Sequence, residues 1–126
     1  MPGRSKDKLG RVKVPLMVVP AHELVDEFAI ETPELPRLLE EAVSERRLPP
    51  TYYTNPVVQK SEKPLLPLSI YMDAAPYSLT DGALGIWLQC LVTDRKWIIA
   101  LVRKKITCAC GCRGWCSHWE VIRWLR

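Results

Sequence analysis

All eleven prolines of this 126-residue chain fall at or before Pro76. Proline lacks a backbone N–H and fixes φ, so it is kept out of helix interiors and central strands. The chain is thereby divided into short, proline-punctuated elements up to about residue 67 and apolar runs after it. Hydrophobic residues make up 48% and charged residues 25%, a globular composition of single-domain size.

Residues 1–14 have few apolar side chains and no period, and read as a disordered basic arm. Leu16, Met17, Val18 and Val19 form a short extended piece between two prolines. Pro20 suits a first helical position, and Leu24, Val25, Phe28 and Ala29 follow as a helical stripe. Thr32 opens a second helix over 33–46, with Leu35, Leu38, Leu39, Ala42 and Val43 on its apolar face. Arg46 and Arg47 suit its C-terminal dipole, and Pro49 and Pro50 stop it. Residues 15–48 are thus a helical segment. Residues 49–67 read as an extended proline-rich connector, whose Tyr52, Tyr53, Val57 and Val58 are expected to pack on something.

Residues 68–126 form a strand-rich module. Apolar runs at 65–73, 83–92 and 97–105 predict three strands, the last two joined by a hairpin loop at 93–96. The runs are continuous, not alternating, so the strands are expected to be buried on both faces. Residues 117–126 have helical character through Trp119, Ile122 and Trp124. The abrupt end of that helix is expected of a fragment. The fold class is α+β: two N-terminal helices, a small three-stranded sheet, a Cys/His loop and a C-terminal helix.

No apolar run reaches the roughly 18–20 residues of a membrane span. The basic N-terminus lacks a signal-peptide apolar region, so an intracellular location, nuclear or cytoplasmic, is expected, with reduced cysteines. Charge is unevenly spread. Residues 1–14 carry five basic side chains against one acid, and residues 95–126 carry eight against one. Residues 15–94 carry five against twelve. Basic blocks of this kind suit nucleic acid, and equally a solvated surface.

The strongest chemical signal is Cys108-Ala-Cys110-Gly-Cys112-Arg-Gly-Trp-Cys116-Ser-His118. Four thiols and one imidazole lie close enough in sequence to supply a tetrahedral Zn²⁺ site. Gly111 and Gly114 permit the necessary turns. The spacing differs from that of common fingers, whose ligand pairs lie far apart, so reduced structural thiols are the alternative. No Cys-x-x-Cys is present to favour redox chemistry. Cys116 and His118, at i and i+2, do not form a nucleophilic pair. Cys90 sits in an apolar run as a core residue, and His22 is placed on the surface.

Among the acids, Asp73 ends the first strand, Asp81 precedes the second and Asp94 lies in the hairpin. Two-metal phosphoryl chemistry needs several carboxylates, and here Asp73 has no clear companion.

The stretch Pro67-Leu-Ser-Ile-Tyr-Met-Asp73-Ala-Ala-Pro-Tyr-Ser-Leu-Thr-Asp81, continued through Gly85-Ile-Trp87 and into Cys110-Gly-Cys112-Arg-Gly-Trp-Cys116, resembles a group of proteins abundant in dinoflagellate genomes. That group often has Tyr-Leu-Asp-Gly-Val where this chain has Tyr71-Met-Asp-Ala-Ala75. It in turn resembles transposase domains of the RNase H-like fold, where the Asp of the first strand binds catalytic metal. The resemblance covers roughly residues 48–126 and departs at Ala74 and Ala75. It implies a mobile-element origin and, in a catalytic parent, a Mg²⁺-ligating Asp73.

The leading expectation is a non-catalytic zinc-binding module of mobile-element origin that contacts nucleic acid. Arg103, Lys104, Lys105 and Arg113 are the expected phosphate contacts, and Trp115 or Trp119 the base-stacking residue. Trp87 and Trp97 are expected in the core. The alternatives are a fragment of a transposase or nuclease using Asp73, and a metal-free module that binds a protein partner. No membrane partner is expected.

Overall fold

The computed structural model describes residues 2–4, 11–108 and 110–125. Half of the basic arm, residues 1 and 5–10, lies outside the described residues. At its ends, Pro2–Arg4 (β1) and Arg11–Lys13 (β2) pair antiparallel, with Pro2 opposite Lys13. Two helices follow, Ala21–Glu31 (α1) and Leu35–Ser44 (α2). Pro50–Thr54 (α3) and Pro56–Lys60 (α4) are single-turn helices. The sheet is built from Leu68–Pro76 (β3), Gly82–Cys90 (β4) and Lys96–Arg103 (β5), antiparallel and in that order. A 3₁₀ turn at Lys104–Ile106 leads into the cysteine loop and the final helix, Trp115–Trp124 (α5). The class is α+β, with the two longer helices, the three-stranded sheet, the cysteine loop and the C-terminal helix in the predicted order; the β1–β2 pair stands where a disordered arm is predicted, and α3 and α4 where an extended connector is.

Two local readings are corrected. Residues 49–67 are not simply extended, because Pro50 and Pro56 each stand at the first position of a helical turn. There the missing N–H costs nothing and the fixed φ is already helical. The Asn55 side chain accepts from the Val57 N–H at 2.9 Å and so starts the second turn. The strands are also not all buried on both faces. From Met72 to Thr80 every residue is exposed, whereas Ile86, Leu88 and Cys90 of β4 and Ile99, Ala100 and Val102 of β5 are buried. β3 is an outer strand, so its apolar run has fewer neighbours than that of the central β4.

The chain forms two compact units, and neither is a single stretch of sequence. One comprises the residues up to Ala21, Tyr71–Trp87 and those from Ile98 onward. Its core is Ile86, Ala100, Val102 and Val121, with Leu16, Val18, Leu84, Ile106 and Leu125 packed around it. Residue 18 bridges to Ala100, and the Val19 N–H donates to the Ile99 carbonyl at 2.9 Å, so the short apolar piece lies along β5. Trp87 is stacked on Tyr71.

The other unit comprises His22–Ile70 and Leu88–Trp97. Phe28, Leu35 and Cys90 form one apolar cluster, with Trp97 set edge-on against Phe28 at 5.2 Å between ring centroids. Ala42, Leu48 and Tyr52 form a second, which Tyr53 and Val58 join. The Tyr52 hydroxyl donates to the Leu65 carbonyl at 2.8 Å and accepts from the Leu65 N–H at 3.2 Å. The predicted packing of the proline-rich stretch takes this form, although Val57 stays exposed. The turn after β4 closes through the Cys90 N–H and the Arg95 carbonyl at 2.8 Å, with Asp94 at φ 61°. No helix among the described residues is long and apolar enough to cross a membrane.

Candidate metal centre

The loop between β5 and α5 has to reverse direction within a few residues. Three left-handed residues make this possible: Gly111 at φ 86°, Arg113 at φ 56° and Gly114 at φ 89°. Gly114 matters twice over. Besides its positive φ, a Cβ there would stand 2.7 Å from Cε1 of His118. The reversal delivers Cys112 to the start of α5, where its Sγ accepts the Cys116 N–H at 3.4 Å. Helix α5 then carries Cys116 back to the same point.

As a result the Sγ atoms of Cys108, Cys110, Cys112 and Cys116 all lie within 4.8 Å of one another. The shorter separations are 3.0 Å for Cys108–Cys112, 3.3 Å for Cys108–Cys110 and 3.6 Å for Cys110–Cys116. A tetrahedron with Zn–S bonds of about 2.3 Å has edges of roughly 3.8 Å, which the observed spread brackets. A disulfide would bring two sulfurs to about 2.05 Å, and all five cysteines are free. The close spacing of the ligands in sequence, which argues against a single site, is overcome by the left-handed residues.

His118 stands outside this group, although the sequence reading places it among the ligands. It lies two residues beyond Cys116 on the same helix, about 200° round the axis. Its ring packs against Gly114, its Nε2 is buried without a hydrogen-bond partner among the described residues, and burial lowers its pKa.

The four thiols are electrostatically distinct. The Cys108 thiol and the Cys116 N–H stabilise the Cys112 thiolate, whose pKa is lowered to about 6. Cys116, facing that thiolate, is raised to about 12. Cys110 is lowered through the Cys112 backbone, and Cys108 is raised through its contact with Cys112. Packing four sulfurs this closely favours ionisation at Cys112 and Cys110 and opposes it at Cys108 and Cys116, so ionising the whole set requires a cation among them.

Two residues that the sequence reading did not single out as parts of the site hold this loop in place. Ser117 is fully buried, and its Oγ accepts the Cys108 N–H at 3.0 Å. The bond ties the first cysteine to the helix that bears the last. Ser117→Ala leaves that buried N–H unpaired and is expected to cost about 1–3 kcal/mol in urea unfolding. An unchanged midpoint would remove Ser117 from this role.

The second is Asp81, 5% exposed, in the β3–β4 loop. Its Oδ2 receives the Tyr77 hydroxyl at 2.5 Å and the Arg103 Nη2 at 2.8 Å. Its Oδ1 accepts the N–H groups of Gly82 at 3.0 Å and Lys105 at 3.2 Å. The Tyr77 hydrogen bond, followed by that of Arg103 and the two backbone donors, lowers its pKa to about 2. Arg103, read from sequence as a phosphate contact, therefore has its guanidinium on Asp81, with Nε also 2.8 Å from the Tyr77 hydroxyl. Asp81 joins the β3–β4 loop to the turn that enters the cysteine loop. A lone Asp-Gly pair signals a turn, and nothing in its local sequence marks a partner 22 residues away.

Asp73 is exposed in β3 and belongs to no ligand group among the described residues. Lys104, Lys105 and Arg113 are exposed, as are Trp115 and Trp119, which stand four residues apart on α5. Cys90 is buried in the apolar cluster and His22 is exposed. Set against protein-family models, curated proteins and solved structures, the chain finds no match.

Proposed function

We propose that this chain is a non-catalytic zinc-binding module of mobile-element origin that contacts nucleic acid. The convergence of four cysteine sulfurs on one point carries the reading. An all-sulfur, tetrahedral donor set suits Zn²⁺ and is unsuited to Mg²⁺ or Ca²⁺, which take oxygen ligands. Four ligands close the coordination shell, so the metal serves to fold the loop and leaves no position for substrate. The mobile-element origin rests on the resemblance of the Cys110-Gly-Cys112-Arg-Gly-Trp-Cys116 group to RNase H-like transposase domains, which that string does not itself carry.

Nucleic-acid contact is supported by the basic surface around the loop. Lys104, Lys105 and Arg113 are exposed and make no side-chain ion pair or hydrogen bond among the described residues. Trp115 and Trp119, 58% and 47% exposed, share one face of α5, a geometry suited to stacking. Arg103 is the exception, since its side chain is committed to Asp81.

Two measurements test the reading together. Elemental analysis of protein purified under reducing conditions is expected to give about one Zn²⁺ per chain. Affinity for DNA or RNA is expected to fall steeply with salt. Each lost phosphate contact changes the slope of log K against log salt by roughly 0.9 on duplex and 0.7 on single strands. Replacing Lys104, Lys105 and Arg113 by Ala should thus reduce the slope by about two to three units. Well under half an equivalent of metal would sink the zinc assignment. Absence of binding at low salt, or an unchanged slope in the triple variant, would sink the nucleic-acid assignment.

A further inference from the structure

Within the same unit, a cleft of about 880 Å³ opens between the β3–β4 loop and the cysteine loop. Its lining is chemically mixed. It includes Lys104, Lys105 and Arg113, three cations without a side-chain partner among the described residues. It also includes Ala74, Ala75 and Pro76, small and apolar. Asp81 also lines the cleft, but its carboxylate is already satisfied by Arg103, Tyr77 and two backbone N–H groups. The lining therefore combines net positive charge with small apolar side chains. Its volume is in the range of roughly 300–1,000 Å³ that takes a small organic ligand. His118 is also part of the lining, and its Nε2 lacks a partner among the described residues.

A ligand that matches both kinds of lining residue has an anionic group and a flat or apolar body joined within a short distance. A nucleotide has this composition. In a duplex its base is stacked and paired, and its apolar faces are unavailable. In a single strand the base can turn out and meet a protein surface. We infer that this cleft seats one nucleotide unit of a single strand, its phosphate against Lys104, Lys105 and Arg113 and its base against Ala74–Pro76. The inference rests on the nucleic-acid reading above and specifies its ligand.

The test separates occupancy of the cleft from diffuse charge. Ala74→Trp and Ala75→Trp each add bulk at exposed positions of β3 and leave every charge in place. With the reduced, metal-loaded full chain, at least one of them is expected to weaken binding of a mixed-sequence single-stranded oligonucleotide about tenfold. Duplex affinity at the same salt and metal content should stay unchanged. A nucleoside 5′-monophosphate is expected to displace the oligonucleotide at about a tenth of the concentration of inorganic phosphate. It should also raise the melting temperature of the parent chain, and not that of Lys104→Ala/Lys105→Ala, a readout independent of the tryptophan variants.

The inference is overturned if both tryptophan variants bind like the parent, or if inorganic phosphate competes as well as the nucleotide. Salt-sensitive oligonucleotide binding with either of those results refutes the cleft and leaves the nucleic-acid reading standing. Binding of the mononucleotide without affinity for the oligonucleotide keeps the cleft as a free-nucleotide site and refutes the polymer. Binding of neither refutes both.

Discussion

Chelating the metal from the reduced protein is expected to unfold the segment from the 3₁₀ turn through α5, with loss of about ten residues of helix in far-UV circular dichroism. The reason lies in how little else holds α5. Of its ten residues only Ser117 and Val121 are buried. A ten-residue helix is too short to persist on propensity alone. Structural zinc sites contribute apparent binding free energies of about 10–16 kcal/mol in small zinc domains, more than a single buried valine supplies. Cys112→Ser and Cys116→Ser should each reproduce the loss and release the metal. Cys90→Ser should keep a full equivalent, because that thiol lies in an apolar cluster of the other unit. A spectrum and melting temperature indifferent to chelator, with the metal demonstrably gone, would show that packing alone builds the loop. Restoration of the helix by oxidation, without metal, would assign the cluster to disulfide chemistry instead.

Acid is expected to weaken the protein through Asp81. Its pKa is about 2 in the folded chain, against an ordinary value of 3.8. The folded state thus prefers the carboxylate, and its contribution is fully present above about pH 4. As pH falls from about 4 to about 2 the unfolded chain takes up the proton first, and the contribution is lost. Asp81→Asn removes the charge that faces Arg103 and is expected to lower the melting temperature at pH 7 by roughly 5–10 °C. The gap between parent and variant should stay constant at neutral pH and narrow towards pH 2. Arg103→Ala should narrow it in the same range, since it removes the other side of the pair. A gap independent of pH down to 2 would show that Asp81 acts through its backbone turn alone.

Much of the site was legible in the chain, and for identifiable reasons. Four cysteines within nine residues are rare enough to announce a shared ligand. Glycine at 111 and 114 signals positive φ, since few other residues tolerate it. Both signals are local. The misreadings arose where local signals were ambiguous. Pro50 and Pro56 break helices as interior residues and start them as first residues, and the sequence alone shows both faces of proline. The stretch around β3 is as apolar as a buried strand, but β3 has a sheet neighbour on one side only, whereas β5, the other outer strand, is covered by the 18–19 segment.

Two amphipathic helices, three apolar strands and a cysteine loop before a tryptophan-bearing helix were readable from the chain in that order, whereas the β1–β2 pair and the single-turn helices α3 and α4 were not. Periodicity and residue chemistry act over a few residues, so they can be read without the fold. Tertiary structure alone decided which groups meet. It left His118 out of the sulfur group, since 200° of helix separates it from Cys116. It gave Ser117 the Cys108 N–H. It turned Arg103 from a free cation into the partner of Asp81, 22 residues away in sequence. Such pairings depend on where whole strands and loops come to rest, and the energy that selects them is not encoded in any short stretch of the chain.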